Sequence, residues 1–98
     1  MSQNYLDQLA EMVHSLRWGD VPESAQGAAK NVVLDTIGAI LAGSQLSENA
    51  AFAQLAAKLG GMGPASLFGH STQVPALFAA LVNATAGVAL EVDEGNRL

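Results

Sequence analysis

The run from Val74 to Leu90, VPALFAALVNATAGVAL, is the feature that most restricts the folds open to this chain. Through Ala76 to Val82 it is apolar around its whole circumference if helical, and a helix apolar on every side has to be buried on every side. Asn83, Thr85 and Gly87 interrupt it, and Pro75 stands near its start. A membrane-spanning helix needs about 20 consecutive apolar residues, so length and interruptions favour a buried core helix. The other helices available to a 98-residue chain can hardly surround such an element. The pattern therefore points either to a fragment of a larger helical core or to burial of this helix in an oligomer.

The remaining segments read as helices too. Between Asn4 and Trp18, residues Leu6, Leu9, Met12, Val13 and Leu16 fall on one helix face, with Gly19 as a stop. Asp20 is placed to cap a second helix, with Pro22 in its first turn and Glu23 positioned for a capping box. Its stripe runs through Ala25, Ala28, Ala29, Val32, Val33, Ile37, Ile40 and Leu41, and Gly43 should end it near Ala42. Ser47 is the next candidate cap, followed by a narrower stripe of Phe52, Leu55, Ala56 and Leu59. Gly60-Gly-Met-Gly-Pro64 breaks that helix. Ala65 to Phe68 could be a short extended piece, and Gly69 to Thr72 reads as a loop. Ser71 or Thr72 could cap the fourth helix, with Pro75 in its first turn. The expected class is all-α, about four helices, with one irregular stretch near Pro64 to Phe68.

Composition narrows the chemistry. Half the residues are hydrophobic but only 5% are aromatic; the Ala-rich apolar mass suits close-packed helices, because alanine is the best helix former. Nine acids against four bases (Arg17, Lys30, Lys58, Arg97) give a formal charge of −5. Scattered cations of that number make neither a phosphate-binding footprint nor a patch for anionic lipid, so neither nucleic acid nor membrane is expected as a partner. There is no cysteine, which excludes a disulfide framework, a thiolate metal site and a cysteine nucleophile within this chain. The start, MSQNYLDQL, lacks the basic and apolar regions of a secretory signal, so a cytoplasmic protein is the expectation.

Possible chemistry concentrates at the end of the fourth helix, where Glu91, Asp93 and Glu94 arrive together. Acids at a helix C-terminus oppose the partial negative charge there, and a locally unfavourable feature can mark function. Glu91 and Glu94 are three apart and share a face. Such carboxylates can act as bases, accept hydrogen bonds from substrate hydroxyls, or ligate a hard cation. A solvated acidic helix end is the simpler reading from charge patterning alone, and an oxygen-only metal site needs more ligands than this tract supplies; no metal and no cofactor are expected. His14 belongs to the polar side of the first helix. His70 sits in a Gly-flanked loop, where the sequence shows no partner to orient it as a base. No residue stands out as catalytic. Trp18 reads as a packing anchor, and Gly60 to Gly63 lack the lysine of a phosphate loop.

Three stretches in series resemble the 2-methylcitrate dehydratase (MmgE/PrpD) family. Val33-Leu-Asp-Thr-Ile-Gly-Ala-Ile-Leu-Ala-Gly-Ser44 is similar to the family's second-helix signature. Leu67-Phe-Gly69 with Ser71 and Pro75-Ala-Leu77 is similar to its next block, and Ala80-Leu-Val-Asn83 running to Glu91-Val-Asp-Glu-Gly95 to the block with the acidic cluster. The family includes 2-methylcitrate dehydratase, cis-aconitate decarboxylase and iminodisuccinate epimerase. The resemblance implies a metal-independent, commonly dimeric enzyme with a large helical domain, a smaller α/β lid and an active site between them. Residues 1–98 would then be a partial helical domain, ending before a His-Pro pair that normally follows. It also implies that Glu91 takes the place of a substrate-contacting Asp, with Asp93 and Glu94 filling the later acidic places. Gly95 stands where some members have Thr, and Asn96 where some have His, so the Thr role is absent here.

Two functions are open on this reading. The first is a part of a cofactor-independent carbon–oxygen lyase, or a related isomerase or decarboxylase, that acts on a small di- or tricarboxylate. Glu91, Asp93 and Glu94 would contact substrate, and the 98 residues alone would be inactive. The second is a non-enzymatic helical module that self-associates, as a homodimer or larger oligomer, through its apolar fourth helix. A small acidic cation-binding protein is a remote third.

Overall fold

The computed structural model describes residues 4–92. By internal contacts the chain divides into two compact units, residues 1–31 and 32–98, with the boundary inside the second helix.

The first unit opens with α1, Tyr5–Ser15. Asn4 caps it: its side-chain oxygen accepts from the Asp7 backbone N–H at 2.9 Å, satisfying one of the donors a helix start leaves unpaired. Leu16 turns extended and closes the helix, its N–H donating to Met12 O. The helix therefore ends before Gly19. A 3₁₀ turn follows over Trp18–Asp20, which displaces Asp20 from the capping place expected of it. Pro22 takes the position just before α2 instead of its first turn, and its carbonyl accepts from Gln26 N at 3.0 Å. Gln26 also ties the turn to the helix through its side chain, donating to Trp18 O at 2.8 Å. Trp18 is not a buried anchor; it is 55% exposed, with the Lys30 ammonium 5.9 Å from its ring centre. None of the described residues of this unit is buried, including the α1 stripe of Leu6, Leu9, Met12, Val13 and Leu16.

The second unit holds the core. α2, Glu23–Ser44, continues through Gly43 instead of stopping there. The reason is close packing: a Cβ on Gly43 would overlap the backbone of Ala86, so the missing side chain lets two helices approach while the α conformation runs on. α3 spans Ser47–Gly60. Leu46 occupies its N-cap position without a side-chain bond, and Ser47 is already helical, its hydroxyl on the Glu48 carboxylate. The junction is tied elsewhere: buried Asn49 donates to Gly43 O at 2.8 Å.

The buried face of α3 is not the expected Leu stripe. Asn49, Ala53 and Ala56 are buried, and a Cβ on Gly60 would meet the Phe78 ring at 2.7 Å; Leu55 and Leu59 are 49% and 71% exposed. Small residues line this face because α3 packs closely on α4, Ala76–Val88. Gly61, at φ 72°, ends α3.

A two-stranded antiparallel ladder stands between the two helices in sequence. β1 is Ala65–Ser66 and β2 is Gln73–Val74, with Ala65 opposite Val74 and Ser66 opposite Gln73. β1 lies in the piece suspected of being extended. β2 takes residues expected to lead into the fourth helix, so Pro75 sits at the N-cap position of α4 instead of in its first turn. The core is Ala53, Ala56, Leu67, Val74, Ala79 and Val82, with Phe52, Ala57, Ala65 and Phe78 partly buried around it. Val74 is fully enclosed.

α4 buries Ala79, Val82, Ala86 and Gly87. It is not covered on every side: Leu77, Leu81 and Val88, on one stripe, are 79%, 53% and 58% exposed. Among the described residues no helix is long and apolar enough to cross a membrane. The all-α expectation holds, with four α-helices and the small ladder among the described residues.

Candidate functional site

Two places in the second unit bear chemistry. The first is the end of α4. Ala89 keeps helical angles, and its N–H donates to Ala86 O; the next return bond is Glu91 N–H to Val88 O at 3.1 Å. Glu91 itself lies at φ 55°, the sole non-glycine residue with positive φ among those described. A left-handed residue just past a helix end is normally Gly or Asn, because a Cβ there crowds the following carbonyl at a cost of about 1–2 kcal/mol. An exposed glutamate therefore holds a conformation unfavourable to it, at the position where the family resemblance implies substrate contact. Strained backbone of this kind is found preferentially at functional sites. Asp93 and Glu94, the other two expected substrate contacts, lie outside the described residues, as does Arg97.

Asn83 connects this helix to the ladder. Its amide nitrogen donates to Ser66 O and its amide oxygen accepts from Phe68 N, both at 3.0 Å. One side chain thus pairs a C=O and an N–H on the same edge of the extended segment that follows β1, as a neighbouring strand would. In the sequence Asn83 is only a polar break in an apolar run; its function as a clamp depends on a strand remote in sequence.

The second place is a cleft of about 510 Å³ between α3 and the turn joining β1 to β2. Ala53, Ala57 and Leu67 contribute apolar lining, and Gln54, Lys58, His70, Ser71 and Thr72 the polar lining. The turn is well held. His70 N–H donates to Leu67 O at 3.1 Å. Gly69, at φ 86°, lies against the end of α2, where a Cβ would strike the Ser44 hydroxyl. Ser44 is itself buried and donates to Leu41 O at 2.7 Å. The His70 Nε2 atom is buried and has no hydrogen-bond partner. Sequence reading dismissed His70 for want of a neighbour; the neighbours come from α3, and no local pattern around the loop announces them. His14 is exposed on α1, as expected. Among the described residues no three His, Asp or Glu side chains gather as a metal-binding group.

Comparison with known proteins returned no match to a curated protein and none to a solved structure. A family model does match: MmgE/PrpD N-terminal domain, over residues 7–95. The match begins in α1, spans both compact units and runs through Glu91, Asp93 and Glu94. With a helical scaffold of the expected class and a match over nearly its whole length, this chain belongs to the MmgE/PrpD family, as its N-terminal domain.

Proposed function

We propose that the domain serves a cofactor-independent lyase, or a related isomerase or decarboxylase, that acts on a small di- or tricarboxylate in the cytoplasm. Glu91, Asp93 and Glu94 orient the substrate in this reading. The observation that carries it is the family match extending through the acidic tract. The left-handed backbone of Glu91 supports it independently. Carboxylates suit the hydroxyl or exchangeable proton of such a substrate, but its own carboxylates need cations. Loss of water or carbon dioxide from a polycarboxylate requires positioned cations and an acid–base pair around the reacting carbon. Near the acidic tract in sequence the chain offers only Arg97. The 98 residues alone are therefore expected to be inert, with the remaining groups supplied from outside them.

The test is the native gene product purified from its source cell. Its intact mass is measured, and turnover is followed with 2-methylcitrate and cis-aconitate. A mass several-fold above 10.0 kDa with turnover abolished by Glu91→Gln supports the reading. A native mass near 10.0 kDa, with no turnover of either compound, refutes it.

A second reading is favoured by the exposed stripe Leu77, Leu81 and Val88 on α4: a non-enzymatic module that self-associates through this helix. Contiguous apolar surface of this kind marks interaction sites. A small native mass with concentration-dependent sedimentation would favour it over the enzyme.

A further inference from the structure

We infer that Gly43 is a positioning residue for Glu91. By admitting the Ala86 carbonyl against its Cα, it seats the last turn of α4 on the end of α2 and so fixes where the Glu91 carboxylate stands. The inference rests on the reading of Glu91 as a substrate contact and adds the residue that holds it in place. Its first ground is the contact itself. A Cβ on Gly43 would overlap the Ala86 carbonyl oxygen and lie 2.8 Å from its carbon. That obstacle is backbone, which yields only if the whole turn moves, whereas the tip of a side chain can swing aside. One residue on, a Cβ on Gly87 would stand 3.1 Å from Ile40 Cγ1, so two successive residues of α4 rest on α2.

The second ground is the short relay from this contact to Glu91. The same Ala86 oxygen accepts from Ala89 N–H at 3.3 Å, and Val88 O accepts from Glu91 N–H at 3.1 Å. Bonds across three residues tighten a helix end, so the chain between Ala86 and Glu91 has little slack. Displacing the Ala86 carbonyl strains or breaks the Ala89 bond and carries Glu91 with it. Gly43 is held from its other side, where its own carbonyl accepts from the buried Asn49 side chain at 2.8 Å.

The third ground is location. The apolar core is Ala53, Ala56, Leu67, Val74, Ala79 and Val82. Ala39, Gly43, Ala86 and Gly87 are buried as well, but stand outside that cluster. The seat therefore lies at the end of α4 that leads to Glu91, and a change there can move the carboxylate while the core keeps its packing. Reacting geometry is sensitive to such a change: a displacement of about 1 Å can cost about a hundredfold in rate.

The experiment is a double-mutant cycle on kcat/KM in the native gene product, with 2-methylcitrate and cis-aconitate as the compounds tried. Gly43→Ala is combined with Glu91→Asp, which keeps the carboxylate but draws it back towards the main chain. Ala53→Gly, a destabilising change in the core on α3, is the control, and chemical denaturation sets conditions in which every variant compared is folded. Gly43→Ala should lower kcat/KM about tenfold or more, yet add no more than about twofold in the Glu91→Asp background, because both act through one group. Ala53→Gly should stay within about twofold of wild type. Gly87→Ala, which meets only a side chain, should give a smaller loss of the same kind; if Gly43→Ala does not fold, this variant carries the comparison in its place. A folded variant of the seat that is no worse than Ala53→Gly, or whose loss multiplies independently with that of Glu91→Asp, overturns the inference alone. If Glu91→Gln and Glu91→Asp leave turnover intact, or neither compound is turned over, the reading of Glu91 fails and the inference falls with it.

Discussion

Replacing Glu91 separates two effects that coincide at the end of α4. The first is backbone conformation: φ is 55° at a residue with a Cβ. The left-handed conformation costs an L-residue about 1–2 kcal/mol, and glycine removes that cost while adding about 0.5–1 kcal/mol of chain entropy to be lost on folding. Glu91→Gly and Glu91→Ala both delete the carboxylate, so their difference isolates the backbone. Glycine should be the more stable of the pair by roughly 0.5–1 kcal/mol, which for a domain of this size is a rise in Tm of roughly 2–8 °C. The second effect is charge. A carboxylate just past a helix C-terminus is unfavourable by about 0.3–1 kcal/mol at low ionic strength, and salt screens it. Glu91→Ala should therefore be slightly more stable than the wild type in dilute buffer and lose that advantage in concentrated salt. The glycine–alanine difference should persist there. Thermal unfolding followed by circular dichroism at two salt concentrations measures both. If glycine proves no more stable than alanine, Glu91 is not held in a strained conformation, and the stability argument for a functional role at this position fails. If the strain is retained for substrate contact, Glu91→Gly should give a more stable protein whose native gene product no longer turns over polycarboxylate.

Gly43→Ala places a methyl group on the Ala86 backbone and should cost about 1–3 kcal/mol through overpacking; a denaturant midpoint unchanged from wild type would show that the two helices can part freely. Asn83→Ala removes the bonds to Ser66 O and Phe68 N and should cost about 1–3 kcal/mol. Asn83→Asp keeps the acceptor for Phe68 but turns a second oxygen toward Ser66 O, so it should be no better than alanine; a chemical-denaturation series in which aspartate matches wild type would refute the clamp. Leu81→Glu, on the exposed side of α4, should change stability by no more than about 0.5 kcal/mol while reducing any self-association seen by sedimentation velocity; undiminished association would place the contact elsewhere.

The functional place at the end of α4 was partly legible in the sequence. Three acids closing an apolar helix are visible in one dimension, and Glu91 could be singled out by its position in a family-like block. Its left-handed backbone could not, because glutamate is an unfavourable choice for that conformation and no residue-level rule predicts it. The His70 cleft was not legible at all. Lys58 and Gln54 come from α3 and His70 from a turn after β1, and only the packing of the turn over the helix makes them neighbours.

The sequence by itself determined the helical class and the approximate extent of each helix, because alanine-rich composition, periodic apolar spacing and Gly-Pro breaks act locally. It also determined the family, through blocks recognisable in series. Tertiary structure decided which faces were buried and where elements ended. α3 turns Ala53 and Ala56 inward and leaves Leu55 and Leu59 exposed, since close approach to α4 favours the smaller side chains over the more hydrophobic ones. Gly43 continues a helix it was expected to stop, because contact with Ala86 outweighs the weak local preference of glycine for an end. Gln73 and Val74 form a strand instead of leading into a helix, because Ala65 and Ser66 supply the hydrogen-bonding edge. Local preferences here are worth a fraction of a kcal/mol per residue, and steric fit and backbone pairing between distant segments are worth more.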